Sequence, residues 1–360
     1  MKSKQFTLFV LILVQILELF MINVLAININ NNNNILPLEH VTTTSHLTNN
    51  KASKLLLSPQ SYLSLSHYHS KCPDLEGIIH RQVQAWIRKD YTLAASLIRL
   101  HFHDCVVRGC DASILLSHKG SERRAKVSKT LRGFRIIDEI KAEVEKKCPK
   151  TVSCADILTA AARDATVLAG GPFWEVPFGR KDGKISSARE ANRLVPQGHE
   201  NVTTLIQIFR DHGLNILDLV VLSGAHTIGR SSCDAINHRL HNFNGTRKAD
   251  PSLDTKYLNS LKKKCAASSH VYVDLDATTP RIFDTAYYTN LGRNMGLLST
   301  DQLLNSDART GPFVSVLASQ PLVFSSQFAA SMIKLGNIGV LARPNEVEIR
   351  FKCSSVNRAY

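Results

Sequence analysis

The chain has 360 residues and a formal net charge of +14, and 44% of its residues are hydrophobic. Roughly three hundred residues follow an N-terminal stretch of unlike composition, which is enough for one large domain or two small lobes. The surplus of Lys and Arg favours adsorption to polyanions. For an exported protein these are acidic polysaccharides, which excludes nucleic acid as the partner. The alternative is a soluble surface that carries surplus Lys and Arg without such a partner.

Residues 1–26 have the order of a secretory signal peptide. Lys2 and Lys4 precede a mostly apolar stretch from Phe6 to Leu25, and the small residue Ala26 follows. Basic, apolar and small residues in this order predict a segment that is removed on export. A signal anchor is the alternative, because roughly twenty apolar residues can span a membrane. Three polar residues interrupt the stretch, at Gln15, Glu18 and Asn23.

Residues 27–61 differ in composition from the rest of the chain. They include the Asn-rich tract Asn28–Asn34, followed by Thr, Ser, His and Lys among scattered leucines. Little of this can form a packed core, so we interpret the segment as a propeptide or a loose N-terminal extension. Residues 62–360 then form the folded domain.

All eight cysteines lie in that domain. An even number of cysteines behind a secretory signal predicts disulfides, although the count alone cannot choose among the pairings. Zinc is the alternative, but the sequence has no CxxC pairs and no HExxH run. Asn201-Val-Thr and Asn244-Gly-Thr match the N-glycosylation pattern, in agreement with export.

The pattern of the domain is predominantly helical. Apolar residues recur at helical spacing from Leu75 to Ile87, after Pro73. The same periodicity predicts helices at Thr92–Asp104, Gly133–Lys147, Ala155–Ala169, Val202–His212, Ile216–Leu222, Asp284–Asn294, Pro312–Ser319 and Ser325–Leu335. Strand-like runs are few and short, at Trp174–Gly179 and Val271–Leu275. The predicted fold class is therefore mostly α.

Arg99 and His103 form a candidate catalytic pair. In Arg99-Leu-His-Phe-His-Asp-Cys, Arg99, Phe102 and His103 are spaced i, i+3 and i+4, which places them on one helix face. Cleavage of a peroxide needs such a pair, because a base removes a proton from the bound peroxide and a permanent cation stabilises the developing charge. A surface arginine and a structural core histidine are the alternative.

A second histidine, His226, closes an apolar helix in Leu219-Val-Val-Leu-Ser-Gly-Ala-His-Thr-Ile-Gly. Gly224 and Ala225 are small enough to let a flat ligand approach. Histidine is the usual proximal ligand of peroxidase haem iron, and a carboxylate on its other ring nitrogen strengthens its donation. A purely structural histidine is the alternative.

Five segments together resemble the plant secretory, or class III, haem peroxidases: Arg99–Cys105, Val107–Ser113, Leu219–Gly229, Cys148–Cys154 and Thr279–Asp284. The resemblance extends from about Leu63 to Cys353. It implies a mostly α, two-lobed helical fold with a few short β-strands. It also implies haem b as cofactor, and the reduction of hydrogen peroxide with one-electron oxidation of small phenolic donors.

The resemblance implies a role for individual residues. Arg99 and His103 are the distal catalytic pair, and Phe102 shields the haem edge. His226 is the axial ligand of the iron, and Asp301, in Ser-Thr-Asp-Gln, is its carboxylate partner. A further implied contact is the carbonyl of Pro196, which helps to hold phenolic donors, although the flanking Leu-Val-Pro-Gln-Gly departs from the usual pattern.

Two calcium sites and four disulfides are implied in the same way. The distal calcium ligands are Asp104, Val107, Gly109, Asp111 and Ser113, and the proximal ligands are Thr227, Asp276, Thr279, Ile282 and Asp284. Carboxylates, hydroxyls and main-chain carbonyls are the oxygen donors that calcium prefers. The implied disulfides are Cys72–Cys148, Cys105–Cys110, Cys154–Cys353 and Cys233–Cys265.

These features predict a monomeric peroxidase of the extracellular space or cell wall, with no membrane span after signal cleavage; the vacuole is the alternative location. The rival function is a wall-bound scaffold that binds calcium or polysaccharide with little catalysis. Such a scaffold should have lost Arg99, His103 or His226, and all three are present. A serine hydrolase is disfavoured because no GxSxG motif occurs.

One position departs from the family. Counting forward from Glu122 places Ser128 where the family has an asparagine that accepts a hydrogen bond from the distal histidine. Serine is shorter, so we expect His103 to be less well held and less basic, in a working but slower peroxidase. Counting back from Phe134 places Val127 at the same position instead.

Overall fold

The computed structural model describes residues 63–340 and 346–357. The predicted signal peptide, residues 1–26, and the predicted extension, residues 27–61, lie outside the described residues.

Helices dominate the described part of the chain, which confirms the predicted fold class. The α-helices are α1 (Leu75–Lys89), α2 (Leu93–Arg108), α3 (Phe134–Lys147), α4 (Cys154–Leu168), α5 (Ala188–Leu194), α6 (Val202–Asp211), α7 (Ile216–Ser223), α8 (Cys233–His241), α9 (Thr255–Cys265), α10 (Ala286–Gly292), α11 (Ser299–Ser306), α12 (Gly311–Ser319) and α13 (Pro321–Gly336). Short 3₁₀ turns lie between them at Ser113–Leu115, Glu122–Arg124, Lys126–Ser128, Gly224–Thr227 and Phe243–Gly245.

The predicted helices form where an apolar stripe can be buried. In α1 the residues Leu75, Ile78, Ile79 and Val83 are buried at helical spacing. At the start of α7, Asn215 and Asp218 form a capping box, in which each side chain accepts a hydrogen bond from the other's backbone N–H. This cap fixes where α7 begins and therefore where His226, just beyond its end, lies.

The main core surrounds α4. Helices α1, α2 and α3 all pack against it, and nearly all of its residues are buried, many of them alanines that allow neighbouring helices to approach closely. A second core, on α8, α9 and the strand after α9, includes Ile236, Leu240 and Leu261. Helices α7 and α13 pack together beside the main core.

Two antiparallel two-stranded ladders complete the described structure. Strand β1 (Asp182–Gly183) pairs with β4 (Val347–Glu348), and β2 (Arg230–Ser232) pairs with β3 (Tyr272–Asp274). The predicted strand at Val271–Leu275 is confirmed by β3. The predicted strand at Trp174–Gly179 is wrong, since only Phe178 forms a bridge, with Ser64. Alternate residues of this segment are buried, as in a strand, but no neighbouring chain segment completes a ladder.

Helices α5, α8, α9 and α11 were not predicted. They are short or rich in polar residues, as in the Thr-Lys-Tyr-Leu-Asn-Ser-Leu-Lys-Lys-Lys-Cys sequence of α9, so they contain few apolar residues from which a helix could be predicted. Within the described residues, no single helix is long and apolar enough to cross a bilayer; α12 and α13, which meet at a bend of 119°, reach that length and composition only when taken together.

Candidate active site

A cavity of about 590 Å³ lies between α2 and the segment that follows α7. Arg99, Phe102 and His103 line it from α2, and His226 lines it from the 3₁₀ turn Gly224–Thr227. The structure therefore brings the two sequence motifs together as two walls of one cavity.

Arg99 faces the cavity and is held from behind. Its Nη1 donates a hydrogen bond to Thr130 Oγ1 at 2.8 Å, and its Nη2 donates to the carbonyl oxygen of Val127 at 3.1 Å. Protein surrounds most of the Arg99 side chain, and its remaining accessible surface faces the cavity. Burial lowers the pKa of Arg99, but arginine remains a cation in proteins.

His103, one helical turn along, is only 2% exposed. Burial, and then the charge of Arg99, hold the pKa of His103 well below its ordinary value. The imidazole is therefore neutral and can accept a proton. Its Nδ1 atom is buried and has no hydrogen-bond partner among the described residues, and the same holds for Ser128 Oγ. No hydrogen bond joins Ser128 to His103.

His226 is oriented by a carboxylate 75 residues further along the chain. Its Nδ1 lies 2.9 Å from Asp301 Oδ1, in the first turn of α11. Burial lowers the pKa of His226, but the nearby charge of Asp301 outweighs this and raises it on balance. Because Nδ1 is engaged by Asp301, Nε2 is the nitrogen left to bind a metal.

The expectation for the small residues before His226 is half correct. Ala225 lines the cavity. Gly224 does not: a Cβ atom there would lie 2.3 Å from Tyr288 Oη and 2.6 Å from a ring carbon of Phe324. Gly224 therefore allows close packing behind the cavity and not the approach of a ligand.

Pro196 also lines the cavity, in a loop fixed from two sides. The carboxylate of Glu200 accepts hydrogen bonds from the backbone N–H groups of Gln197 and Gly198, at 2.7 and 3.0 Å. Ser299 Oγ donates to the carbonyl of Gly198 at 3.0 Å. The loop is thus tied to α11, which carries Asp301.

The predicted proximal calcium ligands converge behind His226. Thr227 Oγ1 lies 3.2 Å from both Asp276 Oδ2 and Asp284 Oδ1, and Thr279 Oγ1 lies 3.2 and 3.0 Å from the same two oxygens. The side chain of Ile282 is 55% exposed, so this residue could contribute only its carbonyl. Two carboxylates and two hydroxyls at this spacing are the donor types of a calcium site.

The predicted distal calcium ligands lie behind His103. Asp104 is fully buried, and burial together with the charge of Asp111 raises its pKa well above the ordinary value. Ser113 Oγ is buried and accepts or donates no hydrogen bond within residues 63–340 and 346–357. Glu122, a neighbour that the sequence reasoning did not include, is buried as well, and burial raises its pKa to about 8. Asp104 and Glu122 are therefore two buried carboxyl groups whose ionised forms a nearby cation would favour.

The other predicted ligands belong to the same turn. Gly109 has a φ of +94°, in the left-handed region, and a Cβ atom there would lie 2.6 Å from the backbone of Gly339. Only glycine fits this turn, which follows Val107 at the end of α2. Among the described residues no three His, Cys, Asp or Glu side chains converge on one point, so each site would depend on hydroxyl and carbonyl oxygens.

Four disulfides join the chain, in the pairs that the resemblance implies. They are Cys72–Cys148, Cys105–Cys110, Cys154–Cys353 and Cys233–Cys265. The second closes a short loop at the end of α2, beside the predicted distal calcium ligands. The two predicted glycosylation sites, Asn201 and Asn244, are exposed, and the Asn201 side chain also caps α6 by accepting a hydrogen bond from the backbone of Thr204.

Comparison with known proteins shows the family of this chain. The peroxidase family model matches residues 79–320. Peroxidase 7 of Arabidopsis thaliana is 53% identical over 311 residues, which cover 86% of this chain and 88% of that protein. Peroxidase 30 of the same plant is 44% identical over 306 residues (83% and 93%), and its Peroxidase 1 is 42% identical over 301 residues (82% and 92%).

Histidines from two different elements line one cavity of a mostly helical fold, and this arrangement agrees with the class of haem peroxidases. The chain belongs to the peroxidase family, among the class III peroxidases of plants, and is an enzyme that acts on hydrogen peroxide. The alternative of a scaffold with little catalysis is not favoured.

Proposed function

We propose that this enzyme reduces hydrogen peroxide at haem b bound between His103 and His226, and oxidises small phenolic donors by one-electron steps. The observation that carries the proposal is the pairing of Arg99 and His103 on one wall with His226 and Asp301 on the other. The cavity volume of about 590 Å³ and its apolar lining, with Phe209 and Leu219, suit a flat macrocycle.

His226 would hold the iron through Nε2, with Asp301 fixing the ring through Nδ1. Bound haem would supply the redox chemistry by which electrons from the donors reach the peroxide. His103, neutral because it is buried, takes the proton from the incoming peroxide and returns it to the leaving oxygen. Arg99, anchored by Thr130 and Val127, stabilises the negative charge that develops as the O–O bond breaks.

Phenolic donors would approach beside Pro196, whose carbonyl accepts their hydroxyl hydrogen bond. Phe102 would shield the nearby edge of the macrocycle; its ring packs against Phe209, with centroids 6.4 Å apart. The fixed loop at Pro196 supports a donor site that needs no conformational change.

Two calcium ions would support the two histidines from behind. Asp104 directly follows His103, and Thr227 directly follows His226, so a displaced ion would disturb each catalytic ring through the backbone. The buried Ser113 Oγ, which has no hydrogen-bond partner in the described part of the chain, and the raised pKa of Asp104 support the distal ion.

The protein would act outside the cell, in the extracellular space or the cell wall, as a monomer. Four disulfides and exposed glycosylation motifs support export. The net charge of +14 and the run Lys262–Lys264 on α9 support adsorption to acidic wall polysaccharide.

Purified protein tests the proposal. We expect a Soret band, a pyridine haemochrome spectrum of haem b, and peroxide-dependent oxidation of guaiacol. Protein that folds with its four disulfides but neither binds haem nor oxidises guaiacol would contradict it.

A further inference from the structure

One oxygen of the Asp301 carboxylate accepts two hydrogen bonds. His226 Nδ1 lies 2.9 Å from Oδ1, and the hydroxyl of Tyr287 donates to the same Oδ1 at 3.0 Å. The proposed mechanism uses the first contact only. Tyr287 lies on α10, and its ring meets that of His226 edge to face, with centroids 6.1 Å apart.

Both groups are inaccessible to solvent. Asp301 is 3% exposed and Tyr287 is 2% exposed, so water cannot replace either hydrogen bond. Burial, and then the charge of Asp301, raise the pKa of Tyr287 well above its ordinary value. The phenol therefore stays protonated and is the donor in this contact.

We propose that Tyr287 is a positioning residue that limits how strongly Asp301 draws the proton of His226, and that it thereby raises the reduction potential of the bound iron. The inference rests on the proposed role of His226 as axial ligand. A carboxylate oxygen that accepts a second, charge-assisted hydrogen bond has less negative charge to offer the first donor. A less polarised His226 donates less to ferric iron, so the ferrous state becomes more accessible.

The chain offers a matched control in the next residue. Tyr288 lies on the same helix and is 1% exposed, but its hydroxyl donates to the backbone carbonyl of Val220 at 3.0 Å. Tyr288 also lies 3.3 Å from the carbonyl oxygen of Val221, so Tyr287→Phe and Tyr288→Phe each remove one buried hydroxyl together with its hydrogen bonding. Only the first changes what Asp301 accepts, so a general loss of stability should affect both variants alike.

The test is spectroelectrochemical titration of the Soret band in the haem-loaded wild type and both variants. In Tyr287→Phe we expect the ferrous-to-ferric ratio at fixed potential to fall about tenfold, which is a shift of about 59 mV to lower potential for one electron. The iron–histidine stretch in the resonance Raman spectrum of the ferrous protein should rise in frequency. Tyr288→Phe should match the wild type in both measurements.

A Tyr287→Phe potential that equals or exceeds that of Tyr288→Phe would overturn the inference. If Tyr287→Phe binds haem and is active but its potential is unshifted, only the inference about Tyr287 fails. If the wild-type protein binds no haem, the proposed function fails as well. If Tyr287→Phe does not fold, ring-fluorinated tyrosine incorporated at position 287 replaces it. Its hydroxyl is a stronger donor, so the potential should then rise, and no change or a fall would contradict the account.

Discussion

Replacing Ser128 by Asn should speed the reaction with peroxide. His103 Nδ1 and Ser128 Oγ are both buried, and neither has a hydrogen-bond partner among the described residues, so no described group holds the ring of the proposed base by a hydrogen bond at Nδ1. An amide reaches further than a hydroxyl and can accept the Nδ1 hydrogen. A buried hydrogen bond contributes about 1 kcal/mol net, and about 1.4 kcal/mol corresponds to tenfold in rate. If this energy serves to hold the ring in its reactive orientation, the second-order rate should rise roughly fivefold.

Stopped-flow absorbance of the Soret band measures that rate, with peroxide in excess over the enzyme. Steady-state donor oxidation at saturating peroxide should change less, because that regime does not depend on the peroxide step. Val127→Asn is the matched control: Val127 packs against an apolar cluster that Phe102 also contacts, so an amide there should lower the rate or leave it unchanged. An unchanged or slower rate in Ser128→Asn would refute the reasoning. A faster rate in Val127→Asn alone would place the missing partner one residue earlier.

Three further outcomes are expected. Burial lowers the pKa of His101 from 6.5 to about 3, so below pH 6.5 the unfolded chain binds a proton that the folded protein excludes. The contribution of His101 to the free energy of unfolding should therefore be complete above the unfolded pKa. It should fall as the pH drops, by about 2 kcal/mol between pH 7 and pH 5. Denaturant titration at both pH values should show a smaller loss in His101→Gln than in the exposed control His118→Gln, and equal losses would contradict the burial argument. Chelation should remove about two calcium ions per chain and lower both the melting temperature and the activity, because ions that bind only the folded state stabilise it. Metal analysis that finds no calcium in active protein would contradict this prediction. A thiol reagent should find no free cysteine in the native, unreduced protein, since the eight cysteines form four disulfides, and any reactive thiol would be inconsistent with that pairing.

The helices that carry catalysis could be read from local patterns. Helices α2 and α7 have long apolar runs that are buried on most sides, and the i, i+4 spacing of Arg99 and His103 fixes their common face. The short helices α8 and α9 were missed because polar residues dominate them. The extended segment Trp174–Gly179 was mistaken for a strand, because alternation of burial does not reveal whether a partner strand exists.

Long-range contacts were accessible only through the family resemblance. No periodicity links His226 to Asp301, which is 75 residues away. No local sequence pattern identifies Tyr287 as the second hydrogen-bond donor to Asp301. A Tyr-Tyr pair among apolar residues is equally consistent with core packing. Glu122 was noted only as a match to the family, and its burial beside the distal aspartates became evident from the tertiary structure.

The peroxide reaction of His103→Ala is the most direct test of the central claim, that His103 is the base and His226 the ligand on opposite sides of one haem. Removing the base should slow the second-order reaction with peroxide by at least ~10²-fold, the usual contribution of general acid–base catalysis. The Soret band should persist, because the ligand on the other wall is untouched. Near wild-type peroxide reactivity in His103→Ala, with haem bound, would contradict the assignment of the distal wall.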